Sequence, residues 1–146
     1  RLYTWQSVCR MLAVHPFGIG GGEAAFTAVY PRFAISGTET VMHAHNLLLG
    51  TAVSLGLPGL LVLLLLLLLW GLWVLHGCAR LSGRARVTLL APSAGLLGFL
   101  VMGCFDDPWY HFGVFAAFWI QLALSLSAFG EEALEKGETN YAEIET

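Results

Sequence analysis

Leu60-Leu61-Val62-Leu63-Leu64-Leu65-Leu66-Leu67-Leu68-Leu69-Trp70 carries no charge and no hydroxyl, and it sits inside an apolar run from Leu47 to Leu75. As one helix that run would reach about 43 Å at roughly 1.5 Å per residue, beyond the ~30 Å hydrocarbon core of a bilayer. Gly56, Pro58 and Gly59 break it near its start and leave Gly59–Leu75 as the strict span. So leucine-rich a stretch reads as a transmembrane helix rather than a buried core helix.

The rest of the composition agrees. Of the 146 residues, 57% are hydrophobic and 12% charged, against roughly 45–50% and about 25% in soluble domains. Mean hydropathy is +0.71. A water-soluble domain of this size could not hide that much apolar surface. A disordered chain is excluded for the same reason. A second span is expected over Val87–Phe105, interrupted by Pro92 and rich in small residues (Ser93, Ala94, Gly95, Gly98) that favour close helix packing in lipid. A third is expected over His111–Phe129, with Trp109, Tyr110 and Trp119 as aromatic anchors. Gly130 closes it, and the glutamate-rich tail 130–146 reads as solvated and mobile. The fold class is therefore an all-α polytopic membrane protein of about three transmembrane helices.

Orientation follows from charge. The stretch His76–Arg86 holds Arg80, Arg84 and Arg86 and no acid, so it belongs in the cytoplasm. Three spans then put residues 1–46 and the loop Asp106–Tyr110 outside and the acidic tail inside. The net charge of −3 comes largely from that tail, and nothing in the chain forms the basic stripe of a nucleic-acid binder. Cys9, Cys78 and Cys104 form no CxxC and suggest neither a disulfide framework nor a zinc site.

Residues 1–46 are not a span. Arg1–Val14 places Leu2, Trp5, Val8, Cys9 and Leu12 at helical spacing, an amphipathic helix able to lie on the membrane or on the protein's own spans. His15-Pro16 ends it. Gly18-Ile19-Gly20-Gly21-Gly22 has neither a phosphate-loop ending nor a dinucleotide fingerprint, which leaves a flexible turn or a backbone amide nest for an anion.

His43-Ala44-His45-Asn46 stands where this segment meets the long apolar run. Two histidines here either simply begin a helix or carry acid–base chemistry, to which imidazole is suited near neutral pH. Metal binding is the weaker expectation, because positions i and i+2 do not share a helix face and no third ligand lies nearby in sequence.

His45-Asn46, nine residues, then Gly56-Leu57-Pro58-Gly59 resembles the His-Asn-x9-Gly-x-x-Gly pattern of O-antigen ligases. The order Arg1…Trp5, His15-Pro16-Phe17-Gly18-Ile19-Gly20, Phe26 and Phe105-Asp106-Asp107-Pro108-Trp109-Tyr110 is also similar to the ligase and polymerase superfamily over residues 1–129. The resemblance implies a metal-independent, cofactor-free glycosyltransferase of the bacterial inner membrane. It would move a glycan from an undecaprenyl-diphosphate carrier to a glycan, lipid or protein acceptor hydroxyl, with membrane lipid around it and no nucleic acid. By that resemblance Arg1 grips the diphosphate and His45 deprotonates or orients the acceptor. His43, Asn46, Arg10, Asp106 and Tyr110 are the expected substrate contacts. Asn46 either holds the imidazole's tautomer or caps the following helix, and Asp106-Asp107-Pro108 either contacts sugar or is only a turn.

Related enzymes carry many more spans and a further phosphate-binding arginine upstream, so the chain is expected to be the C-terminal part of a longer protein. The alternatives are a non-catalytic scaffold or a transporter subunit. Against the transporter, the span centres hold no Asp, Glu, Lys or Arg, which coupled transport usually uses.

Overall fold

The computed structural model describes residues 1–35, 37 and 40–144, with 131–144 as backbone only. The order is α1 (Leu2–Val14), α2 (Glu23–Val29), a 3-10 turn (Tyr30–Arg32), α3 (Leu47–Arg80), α4 (Gly83–Gly103), a second 3-10 turn (Pro108–Tyr110) and α5 (Phe112–Ile144). There is no strand among the described residues. Leu47–Arg80, Gly83–Gly103 and Phe112–Gly130 are each long and apolar enough to cross a membrane. Along α3, Leu61, Val62, Leu68, Leu69, Leu72 and Leu75 are all more than half exposed. In water each would forfeit about 1.5–3 kcal/mol of burial, a loss that a lipid environment removes.

Three boundaries differ from expectation. α3 continues to Arg80 and α4 begins at Gly83, so the arginines flank a two-residue link, Leu81-Ser82, instead of occupying a loop. α4 also runs through Pro92 without a break in its helix. α5 does not stop at Gly130 but runs to Ile144. Glu, Ala, Leu and Lys are strong helix formers, so one glycine does not end it. The remainder of the tail, Glu145 and Thr146, lies outside the described residues.

The chain divides into two compact units, Arg1–Leu66 with Phe99–Phe115, and Leu67–Gly98 with Ala116–Thr146. The second unit is built on Leu81, Ala85, Leu89 and Ala128, with Trp73, Val74, Cys78 and Phe129 packed against them. Small residues set its close approaches. Gly77 lies directly under Leu89, and Gly95 lies under the amide of Gln121. Trp73 Nε1 donates to the Ser125 carbonyl at 3.3 Å, so this indole is satisfied within the bundle.

The first unit is built on Val8, Met11, Phe26, Tyr30, Ala44 and Val53. α1 packs through Thr4, Ser7, Val8 and Met11, while Leu2 is 71% exposed. The buried face is thus rotated from the expected Leu2–Trp5–Val8–Cys9–Leu12 stripe. Ser7 explains the rotation. Its hydroxyl donates to the Tyr3 carbonyl and accepts the Ile35 N–H at 3.1 Å, which draws this narrow, partly polar face against the neighbouring chain.

α3 is broken at Gly56, whose φ of 77° and ψ of 179° are non-helical. Pro58 has no N–H, so the Ser54 carbonyl loses its helical donor. Gly20 N–H supplies one at 3.1 Å. Leu57 N–H turns to the Pro16 carbonyl at 2.8 Å, and Ile19 N–H replaces it on Val53 at 2.9 Å. Non-helical backbone in or near a bilayer persists only when protein satisfies it in this way. The glycine-rich turn is therefore neither a free turn nor an anion nest over Gly18–Gly20, because it caps a broken helix. Gly18 and Gly56 both have positive φ, and a Cβ on either would lie within 2.6 Å of facing backbone.

Candidate functional site

All of the expected site residues fall in the first unit, and most of them meet one short segment, Cys104–Tyr110. Four attachments fix that segment. Asn46 Nδ2 donates to the Cys104 carbonyl at 3.2 Å. The Arg1 guanidinium donates through Nη1 to the Phe105 carbonyl. The Trp109 indole donates to Thr51 Oγ1 at 3.0 Å and packs on Phe99 and Phe115. The carboxyl of Asp107 lies on Gly50, where a Cβ would come within 1.9 Å of Oδ2. Trp109 is thus a packed residue held by α3 rather than a bare anchor for the third span.

Asn46 begins α3. Its Oδ1 accepts the Leu49 N–H at 3.0 Å, the bond of an N-cap side chain, while its amide holds Cys104. Of the two roles the sequence left open for Asn46, capping is the one seen, and the amide is engaged at both ends.

The residue before it, His45, has φ of 50°, a left-handed conformation in which a non-glycine residue is strained. The turn brings the two imidazoles together, with ring centroids 4.0 Å apart. His43 packs in turn on Tyr110 at 5.2 Å. Asp106 completes the group. Its Oδ1 lies 3.3 Å from His45 Nδ1 and 3.8 Å from His43 Nδ1. The expectation that no third ligand lies near the histidines is corrected here. His43, His45 and Asp106 offer ligand atoms within 4.8 Å of one another, because a turn and not a helix carries the histidines, and because the chain returns from α4 beside them.

The charges are ordered by their surroundings. The backbone N–H of Asp107, at 2.9 Å from Oδ1, holds the Asp106 carboxyl below its usual range; the His45 hydrogen bond and the two imidazoles add to this against partial burial. Ionised Asp106 can only accept, so it is His45 Nδ1 that donates in this contact. Burial lowers the pKa of His43, and the nearby His45 lowers it further, against the opposing pull of Asp106 and Glu23. Burial also pushes Tyr110 up to about 12, with Asp107 and Glu23 contributing, so its hydroxyl stays protonated. Asp107 is 3% exposed, and its Oδ1 has no partner. Burial raises it to about 7, with the Asp106 charge adding to the rise and the Trp109 backbone N–H opposing it.

Arg10 stands apart from this group. It is exposed on α1, about 13 Å along the axis from Arg1, and no hydrogen bond or ion pair joins it to the histidines or Asp106. Reading the sequence missed Asp107 and Gly50 as a pair. The only available signal was a glycine in the first turn of an otherwise leucine-rich span.

Residues 1–64 match the family model Wzy_C, O-Antigen ligase. The matched stretch holds Arg1, the glycine-rich cap, the His43–Asn46 turn and the α3 break; the Asp106 segment lies beyond it. No curated protein and no solved structure matches the chain.

Proposed function

From the O-antigen ligase character of residues 1–64, we propose that this chain carries the acceptor-activating part of a bacterial inner-membrane glycosyltransferase. It would move a glycan from an undecaprenyl-diphosphate carrier to an acceptor hydroxyl, as a ligase or a polymerase. The observation that carries the reading is the His45–Asp106 pair, beside a segment that Arg1 also holds. Residues 1–46 and the loop 106–110 face outside in this reading, and the C-terminus is cytoplasmic.

A sugar hydroxyl is a weak nucleophile until a base takes its proton. His45 Nε2 takes that proton while Nδ1–H donates to Asp106, and the carboxylate steadies the imidazolium that results. The freed oxygen bonds to the anomeric carbon of the donor, and the bond from that carbon to the diphosphate oxygen breaks. The diphosphate leaves with the charge. Arg1 spends one N–H on Phe105 and has others for the leaving group, which a guanidinium stabilises without proton transfer. Diphosphate departure then needs no metal, as the resemblance implies. His43 and the protonated Tyr110 form a half-buried ring face suited to a sugar. Asn46 and Asp107 act by positioning, Asn46 through the start of α3 and Asp107 through the loop.

The test is transfer by the full-length protein in bilayers, with lipid-linked glycan as donor. His45→Ala should lose transfer and still insert. Unchanged transfer would remove the base from the mechanism.

A further inference from the structure

The convergence of two imidazole nitrogens and one carboxylate oxygen has a consequence beyond acid–base chemistry. We infer that His43 Nδ1, His45 Nδ1 and Asp106 Oδ1 form a binding site for a zinc-class divalent ion, and that the bound ion moves the His45 proton from Nδ1 to Nε2.

The geometry fits a small tetrahedral ion. With ligands at about 2.0–2.1 Å, the edge of a tetrahedron is about 3.3–3.4 Å. The His45–Asp106 separation is 3.3 Å, and the His43–Asp106 separation of 3.8 Å closes with a small side-chain rotation. Two nitrogens and one oxygen suit Zn²⁺ or Co²⁺ and not Mg²⁺ or Ca²⁺, which prefer oxygen shells. The side chains of Asp106, His45 and His43 are 47%, 32% and 25% exposed, which leaves a fourth position for water. His43 is already in the ligating form. The His45 backbone N–H donates to its Nδ1 at 3.4 Å, so that nitrogen carries the lone pair, and an ion would take it by displacing this long contact. The backbone strain at His45 is part of the site, because the left-handed turn is what sets both Nδ1 atoms on one side.

The proton shift follows from the tautomers. Without the ion, Nδ1–H faces Asp106 and Nε2 is free to accept a proton. An ion on Nδ1 displaces that proton, and the neutral ring then carries its hydrogen on Nε2. The nitrogen that serves as base in the proposed reaction would have no lone pair. The ion is thus an occupant that blocks acceptor activation. This last consequence rests on the glycosyl-transfer reading, whereas ion binding does not.

The experiment is Co²⁺ titration of the purified protein without a polyhistidine tag, in detergent micelles, followed by visible absorption. The expected result is one Co²⁺ per chain with the ligand-field bands of a tetrahedral site. His43→Gln and Asp106→Asn should each weaken binding by roughly tenfold or more, the range typical of an altered metal shell. His76→Ala should leave binding unchanged. X-ray absorption on the wild-type protein loaded with Zn²⁺ requires no variant, and should show two imidazoles and oxygen with no sulfur. Absence of saturable Co²⁺ binding, a sulfur-containing shell, or binding unaltered in both ligand variants would overturn the site. Because these readouts are spectroscopic, their failure leaves the transfer reading standing. Normal transfer by His45→Ala would sink that reading and leave ion binding intact.

Discussion

His45 Nδ1 lies 3.3 Å from Asp106 Oδ1, a contact that joins positions 61 residues apart. Asp106 is ionised and can only accept, so the contact fixes which nitrogen of His45 holds the proton. Asp106→Asn replaces an obligate acceptor with an amide that can donate to Nδ1 and favour the other tautomer. In a buried triad such a change costs about 10⁴ in rate. Asp106 is about half exposed, so solvent screens the contact and a smaller loss of roughly 10- to 100-fold in kcat is expected, with KM little altered. Nitrogen NMR of the His45 ring should report the tautomer change. A variant that alters KM alone would assign Asp106 to substrate binding instead.

Gly50 and Asp107 make a second relationship that sequence spacing conceals. A Cβ at Gly50 would meet Asp107 Oδ2 at 1.9 Å, so Gly50→Ala should expel the carboxyl and loosen the loop that carries Asp106. Transfer should fall although neither residue touches substrate. Full activity in Gly50→Ala would show that the loop does not depend on this contact.

Asp107 also sets a dependence on pH. Its folded value, about 7, lies above the ordinary 3.8, so the stability it contributes is fully present below about 4 and is lost as pH rises through 7. Asp107→Asn cannot ionise. Thermal unfolding in micelles should therefore show the variant gaining on wild type between pH 4 and pH 7, with the gap greatest above 7. A gap that is constant with pH, or that closes as pH rises, would contradict burial as the cause of the raised value.

The helix break yields a contrast between two glycines. Gly56→Ala forces a side chain into positive φ and to within 2.4 Å of the Phe17 backbone, whereas Gly21 has open space around its Cβ position. Gly56→Ala should destabilise by about 2 kcal/mol or more, and Gly21→Ala should be close to neutral. Equal melting temperatures for the two variants would show that the cap over α3 is dispensable.

Membrane orientation has its own check. In intact cells an impermeant maleimide should reach Cys9, exposed on α1, and should not reach an Arg84→Cys variant with the other cysteines replaced. The reverse pattern would put the His45 site on the cytoplasmic side.

Much of this architecture was legible because it depends on local patterns. The span over α3, its break at Gly56-Pro58 and the helix of residues 1–14 follow from hydrophobic runs and from what glycine and proline cannot do. The His43–Asn46 turn drew attention as a cluster of imidazoles at a membrane boundary. Its partner did not, since nothing local ties Asp106 to a histidine on another element. The same holds for Ile19 and Gly20, whose amides cap a helix more than thirty residues away. The rotated face of α1 escaped notice because Thr4 and Ser7 look polar, although both are buried and the Ser7 hydroxyl is held by hydrogen bonds. Helix propensity after Gly130 was underrated against one glycine and a run of acids.

The central claim is that His45 takes the acceptor's proton, and it is tested most directly by single-turnover transfer with His45→Ala in the full-length protein. Loss of roughly 10²–10⁴ in rate is expected, the range for removal of a general base, with membrane insertion and donor binding retained. His43→Ala should lose less. A His45→Ala enzyme that transfers glycan at the wild-type rate would contradict the account.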